Sequence, residues 1–494
     1  MSDRRKLVLC VIDAMASEML DRAIAAGTAP VLERIIERGG YIPDCVSAFP
    51  SVTPVAAASI TTGVAQDRHL IPGMNWYDRV EGRYVEYGSS FRSAQRFGFG
   101  QQLTDTIYNM NRAHLAAETP TLFESLDDAA LHTACTTYLI YRGRHLHEPQ
   151  RDNPLSRVAS TMMRHPVMGP HELFYADLFS SRRTGCRSGL GMPGMRDRHT
   201  ACVSSFLVEN DLFDFLLLSL PDNDWVSHKR GPEGQLQSLA QADLQLARVM
   251  NAGGGVERFL DEHAVIVMAD HSQAPVTDTL SLQDELAALG VLEPGRRRRE
   301  EGAEARIAVC PSQRAAMVYA LAPSGRDAMR ASVAGRVLAL DGVDLVIWLE
   351  HDADERPREA VIASAARGEL RFRPGGAVHD RRSGTWHLDG DLAVLGASVD
   401  GTVLETPDYP DALARCWSAL SCPTSGEVLV SAEPGWEFAD WGGQDHVGGG
   451  SHGSLHRSDS LAPLIFQGLE ANVADREQWA IRDVRELVHR YFGV

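Results

Sequence analysis

Five short segments of this chain each place an aspartate, a threonine or a histidine just after an apolar stretch. The first, KLVLCVID, ends on Asp13, and the second, FPSVTPVAAASITTG, sets Thr53 ahead of a run of small residues. In the third, FLLLSLPDNDWVSHKRGP, Asp224 and His228 are four apart. AVIVMADHS supplies Asp270 and His271, and the Gly-rich GGQDHVGGGSHGSLH supplies His452. Carboxylate oxygens and imidazole nitrogens are the ligands of hard and borderline divalent ions. Two such ions about 4 Å apart can activate a nucleophile, neutralise a phosphoryl oxygen and stabilise a leaving oxygen. The expected division is Asp224, His228 and His452 on one ion, and Asp13, Asp270, His271 and the Thr53 hydroxyl on the other. A threonine hydroxyl is a poor nucleophile at neutral pH unless a base or a metal lowers its pKa, and coordination would supply that activation.

Side chains so far apart in sequence need a scaffold that brings them together. The runs before Asp13 and Asp270 read as buried parallel strands, rich in Val, Ile and Leu. Residues just past the carboxyl ends of such strands face a common crevice in open α/β sheets. After the first strand, TAPVLERIIERGG predicts a helix with Thr28 as its cap and Pro30 in its first turn. Its apolar face is Val31, Leu32, Ile35 and Ile36, and Gly39-Gly40 stop it. ASITTG is expected to begin the next helix, whose N-terminus would aim backbone N–H groups at a phosphoryl oxygen near Thr53. Residues 80–210 contain loop-like stretches such as RRTGCRSGLGMPGMRDRH, expected to lie over the site. The interval of about 276–440 is long enough for a smaller, cap-like subdomain, with strand-like pieces RAAMVYAL and VDLVIWLE. The fold class is thus α/β, a single catalytic domain over 1–494 with a large, mostly parallel sheet and that insertion.

Composition fits a large enzyme: 494 residues, 44% hydrophobic, provide ample core material. A formal net charge of -18 disfavours nucleic-acid polymers and anionic membranes as partners. A small phosphate ester can still enter, because bound dications invert the local potential. The apolar start is too short for a signal peptide and ends on Asp13, and LFDFLLLSLP is interrupted by Asp214 and too short to span a bilayer. The eight cysteines form no CxxC pair, which leads to the expectation of reduced thiols and a cytoplasmic location.

Taken in order, the segments resemble the alkaline phosphatase superfamily, and most closely its type I phosphodiesterase/nucleotide pyrophosphatase branch. The matching features are the strand-end Asp13, Thr53 ten residues before the Gly of Thr62-Gly63, Asp224 to His228 followed by Gly231-Pro232, Asp270-His271, and His452-Gly453. The resemblance covers most of the chain. It implies an alkaline-phosphatase-like α/β/α sandwich, two divalent ions with zinc expected first and manganese or another divalent ion as alternatives, and Thr53 as nucleophile. Three departures bear on substrate. Family members commonly read Thr-x-Pro-Asn-His at the nucleophile, but Pro54 follows Thr53 directly. Ser227 replaces the usual Gly before His228. The Asn that often holds a phosphoryl oxygen about twenty residues on is matched by Asn75, one position off.

Each motif alone has a plainer reading: a strand-end Asp caps helices, Asp-x-x-x-His can be an exposed pair on one helical face, and Thr-Pro is turn chemistry. Their joint order is what carries the assignment. Asp222 competes with Asp224 as ligand; His446 and His456 read as supporting or surface groups, and Arg142, Arg144 and the run Arg296 to Arg299 as surface charge. The expected activity is metal-dependent cleavage of phosphodiester or pyrophosphate bonds in small nucleotide-like substrates, through a covalent threonyl intermediate with Asn75 steadying the developing charge. A phosphomonoesterase or phosphonate-cleaving relative is the alternative. From another class, the chain could be a catalytically idle sensor of a nucleotide or phosphorylated metabolite. A sulfatase is disfavoured, because Thr53-Pro54-Val55-Ala56 lacks the Cys/Ser-x-Pro-x-Arg context.

Overall fold

The computed structural model describes residues 6–150, 165–175, 178–189, 192–295, 305–322, 324–350 and 358–494. The basic run Arg296 to Arg299 lies outside the described residues. At the centre is an eight-stranded sheet in the order Gly40–Val46, Leu461–Gln467, Ala264–Met268, Leu7–Ile12, Phe215–Leu220, Thr133–Thr136, Glu172–Tyr175, Phe179–Ser180. Leu7–Ile12 pairs in parallel with both Phe215–Leu220 and Ala264–Met268, so the strands that end nearest Asp13, Asp224 and Asp270 lie side by side.

Continuous apolar strands follow from a sheet buried on both faces. Leu7, Leu9 and Val11 point into one core, which the helices Thr53–Thr62, Leu122–Asp128 and Val484–Phe492 cover. Val8, Cys10 and Ile12 point into the other, against Ser17–Ala25, Pro30–Arg38, Arg196–Glu209 and Gln235–Ala252. The architecture is therefore the expected α/β/α sandwich. Each fully buried Leu or Ile contributes about 1.5–3 kcal/mol of transfer free energy, so neither face can be left uncovered.

Two local expectations are corrected. The helix Pro30–Arg38 forms with Val31, Leu32 and Ile35 buried, but Thr28 does not cap it: its hydroxyl donates to the Ala23 carbonyl at 3.0 Å. The cap comes instead from Asp243 on another helix, whose Oδ1 accepts from the Val31 and Leu32 N–H groups at 3.0 and 2.9 Å. The next helix starts at Thr53 itself rather than at ASITTG, because Pro54 is favoured in a first turn and the Ala run propagates it.

Residues 307–432 supply a second, largely antiparallel nine-stranded sheet that contains both strand-like pieces, as Ala315–Ala320 and Val343–Glu350. The buried Arg314 ties it to the catalytic side, paired with Asp459 and donating to the Trp436 carbonyl at 3.0 Å. Among the described residues, no helix is long and apolar enough to cross a membrane. The expectation of uniformly reduced thiols fails at one pair: Cys186 and Cys202 form a disulfide, while the other six cysteines are free and buried. A loop cysteine meeting a helix cysteine 16 residues later has no spacing signature to announce it.

Candidate active site and metal centre

Asp13 follows directly on Leu7–Ile12, and Asp270 lies two residues beyond Ala264–Met268. Phe215–Leu220 leads through Pro221 into the helix Asp222–Arg230, which carries Asp224 and His228 one turn apart on one face. Thr53 heads its helix, where the first N–H groups have no intrahelical acceptors. His452 arrives on a loop that only glycine permits. A Cβ on Gly449 would stand 2.0 Å from the His228 carbonyl oxygen, and one on Gly453, at φ +122°, would stand 2.7 Å from that of Ser312.

All seven expected ligands converge. His271 Nε2 is 3.3 Å from Thr53 Oγ1, 3.5 Å from Asp270 Oδ2 and 3.7 Å from Asp13 Oδ1. Asp224 Oδ1 is 3.3 Å from His228 Nε2 and 3.6 Å from His452 Nε2. The His271 and His452 rings stack with centroids 3.7 Å apart, which joins the two groups into one continuous site. His271 also groups with Asp224 and His452, so it stands between the two positions.

Four observations test whether divalent ions fit. Asp13 Oδ1 and Asp270 Oδ2 are buried with no hydrogen-bond partner among the described residues. Burial, and then the charges of Asp270 and Asp224, hold the Asp13 carboxyl well above the usual carboxylate range, as befits an anionic cluster with too little positive charge. Each histidine turns Nδ1 to a backbone carbonyl, His228 to Gly450 at 2.8 Å, His271 to Ser272 at 3.1 Å and His452 to Ser51 at 2.8 Å, which presents Nε2 as the ligand atom. Burial also pushes His228 and His452 below the ordinary imidazole value, towards the neutral, ligating form. The donor set fits two divalent ions.

Residues not foreseen from sequence hold these groups in place. Gln273 Nε2 donates to Asp224 Oδ1 at 2.5 Å, Asn223 Nδ2 to the Asp13 carbonyl at 2.8 Å, and Ser47 Oγ to the Asp270 carbonyl at 2.6 Å. The Ala14 N–H reaches Asp270 Oδ1 at 3.2 Å. Ser227, the departure beside His228, is buried and accepts from Gln235 Nε2 at 3.1 Å, so it serves the packing of the next helix. Of the two candidate aspartates, Asp224 is the one that lies with His228 and His452. Asp222 is taken up by the Gly194 N–H at 2.9 Å and Arg196 Nε at 2.9 Å.

A cavity of about 330 Å³ opens over the cluster, walled by Met74, Tyr87, Gly88, Thr137, Tyr138, Tyr175, Ser188, Arg196 and His199 beside Asp13, Thr53, Asp224 and Asp270. Most of the wall beyond the ligand cluster comes from the 80–210 interval, with Met74 from just before it; among the described residues the second sheet contributes none. Arg196 and His199 sit in MRDRH, a cationic cluster at the start of a helix that sequence reasoning passed over as loop. Asn75 is not brought to this cavity. It is fully buried and donates through Nδ2 to the Pro311 carbonyl at 2.5 Å, and its neighbour Met74 occupies the wall. His446 stacks on His228 with centroids 4.2 Å apart and bonds Glu437 at 3.0 Å, a support for the ligand, while His456 caps a short helix. Arg142 is framework rather than surface charge, bonded to Glu124 at 3.0 Å and to the Thr119 carbonyl at 2.6 Å; Arg144 is half-exposed.

The model of the family described as type I phosphodiesterase / nucleotide pyrophosphatase matches residues 7–455. No curated protein matches the sequence. Among solved structures, phosphonoacetate hydrolase from Sinorhizobium meliloti 1021, in complex with phosphonoformate and with phosphonoacetate, is similar in fold. In both complexes the TM-score is 0.56 at 18% identity, over 99% of this chain and 96% of that one.

Proposed function

This chain belongs to the type I phosphodiesterase / nucleotide pyrophosphatase family, and on that premise we propose that it is a two-metal hydrolase of small, nucleotide-like phosphodiesters or pyrophosphates that works through a phosphothreonyl intermediate on Thr53. The observation that carries the reading is the Thr53 hydroxyl at a helix N-terminus, 3.3 Å from His271 Nε2, in one cavity with Asp13 and Asp270, each of which has a buried oxygen with no hydrogen-bond partner among the described residues. Asp224, His228 and His452 would hold one ion, and Asp13, Asp270, His271 and Thr53 the other. When bound, the ions, with zinc expected first, supply positive charge that acidifies the hydroxyl and offsets the phosphoryl oxygens. Thr53 Oγ1 attacks phosphorus in line and the bond to the leaving oxygen breaks; water then attacks phosphothreonine and restores the hydroxyl. The N–H groups at the start of Thr53–Thr62 face the developing negative charge. Arg196, anchored by Asp222, places positive charge on the wall where a second anionic group of the substrate would lie.

A second reading, cleavage of a small phosphonate, is favoured by the cavity. About 330 Å³ is at the low end of ligand pockets and suits a compact dianion better than a dinucleotide. Initial rates with zinc-reconstituted protein separate the two: bis-p-nitrophenyl phosphate and the p-nitrophenyl ester of thymidine monophosphate against p-nitrophenyl phosphate and phosphonoacetate, with a chelator control. Metal-dependent preference for the diesters supports the first reading, and preference for phosphonoacetate the second. Nucleotide binding without turnover by the metal-loaded protein would favour the sensor. Thr53→Ala should keep the zinc content and lose turnover by on the order of 10³-fold or more. Full activity in that variant removes Thr53 as nucleophile.

A further inference from the structure

A second constellation of metal-ligating side chains lies at the other end of the central sheet. Asp127 closes the helix Leu122–Asp128, His145 opens the strand His145–His147, and His171 immediately precedes Glu172–Tyr175. His171 Nδ1 is 3.1 Å from Asp127 Oδ1, and His145 Nε2 is 3.8 Å from Asp127 Oδ2. One ligand atom from each residue lies within 4.8 Å of both others. The two imidazole rings face each other with centroids 3.6 Å apart.

The spacing has a definite meaning. Donors about 2.1 Å from a tetrahedral zinc-class ion stand about 3.4 Å from one another. The two imidazoles stand near this spacing from the two oxygens of one carboxylate, 3.1 Å from Asp127 Oδ1 to His171 and 3.8 Å from Asp127 Oδ2 to His145. The chemistry is also right, because two imidazoles and one carboxylate select zinc and its transition-metal neighbours over calcium or magnesium. The Asp127 side chain is only 2% exposed and is oriented by the Thr133 hydroxyl at 2.5 Å and the Arg144 N–H at 3.2 Å. The imidazoles of His171 and His145 are 28% and 39% exposed, which leaves an ion a path from solvent. A further donor stands beside them. The His132 ring centroid is 4.2 Å from that of His171, and its buried Nε2 has no hydrogen-bond partner among the described residues, with Glu172 Oε1 3.6 Å away. The backbone is shaped to hold this arrangement. Gly143 lets the chain before His145 pass so close to Gly169 that a Cβ would lie 2.3 Å from its carbonyl carbon.

We propose that Asp127, His145 and His171 bind a third transition-metal ion of the zinc class, with His132 or water in the fourth position, independent of the catalytic pair. His132 precedes the strand Thr133–Thr136 and His171 precedes Glu172–Tyr175, two adjacent parallel strands. Their far ends carry Thr137, Tyr138 and Tyr175 of the cavity wall. At about 3.3 Å per residue the ion sits roughly 13 Å below the substrate cavity. It clamps the helix, the hairpin and the starts of two interior strands from beneath, and takes no part in the chemistry.

The test is zinc stoichiometry of the full chain after equilibration with buffered Zn2+, measured by elemental mass spectrometry. His145→Ala/His171→Ala is expected to hold about one equivalent fewer per chain than the parent while keeping turnover. Asp270→Asn/His271→Ala should lose catalytic zinc and keep this ion, so failure of the catalytic reading and failure of this one give different patterns. Equal zinc in the parent and in a folded His145→Ala/His171→Ala protein would overturn the proposal. If that variant does not fold, zinc-edge anomalous diffraction from the unmutated protein decides. A peak between His145 and His171 supports the site, and its absence at saturating Zn2+ refutes it.

Discussion

Replacing Asp13 by Asn should change stability in opposite directions with and without divalent ions. Without ions, the Asp13 carboxyl is buried against Asp270 and near Asp224, and its Oδ1 has no hydrogen-bond partner among the described residues. An amide of the same shape removes one negative charge and can donate to Asp270. Relieving an unpaired buried group is worth roughly 1–3 kcal/mol. Unfolding entropy of ~2.1 cal/mol/K per residue over 494 residues makes about 1 °C of melting temperature per kcal/mol, so Asp13→Asn should melt about 1–3 °C higher in chelator. With zinc at a thousandfold excess over Kd, the parent gains about 4.1 kcal/mol per ion, and the variant forfeits that gain for the ion Asp13 would hold. Calorimetry of both proteins in EDTA and in buffered Zn2+ should therefore show the two stability curves cross. A variant destabilised equally in both buffers would refute the reasoning and return Asp13 to a purely structural role.

Two further predictions concern the cavity wall. Burial pushes the Glu86 carboxyl up to about 7, while the Ser89 and Gly88 N–H groups bonded to it oppose that shift. A carboxyl raised in the folded state contributes stability that is fully present below its unfolded pKa of about 4.3 and is lost as pH rises through 7. Glu86→Gln should thus match the parent near pH 4 and exceed it by up to about 3 kcal/mol near pH 8; a pH-independent difference in denaturant titrations would contradict this. The Cys186–Cys202 disulfide ties the loop bearing Ser188 to the helix bearing Arg196 and His199. Cys186→Ser/Cys202→Ser should lose about 3 kcal/mol for a closed loop of this size and raise KM several-fold at unchanged kcat. An unaltered KM would separate the disulfide from substrate binding.

The parts of this molecule legible in its sequence are those where one physical requirement dominates. A strand buried on both faces must be apolar throughout, so LVLCVI and AVIVM declare the centre of the sheet, and the aspartates that follow are the residues the crevice receives. The same logic extends to Asp224 and His228, because a helix launched from a strand end presents its first turn to that crevice.

Where two requirements compete, the sequence is silent. Thr28 has every local property of a cap, yet the orphan N–H groups of that helix are satisfied by Asp243, more than two hundred residues away. Asn75 has the right chemistry near the right spacing, but its amide is taken up by the Pro311 carbonyl, and Met74, just before the strand Asn75–Asp78, occupies the cavity wall. Cys186 and Cys202 meet only because a wall loop folds back on its helix. The Asp127, His145 and His171 cluster shows the same limit: its members come from a helix end, a hairpin and the start of an interior strand that no motif links. The ligands that strands deliver could be read in advance, whereas those that tertiary packing assembles required the fold.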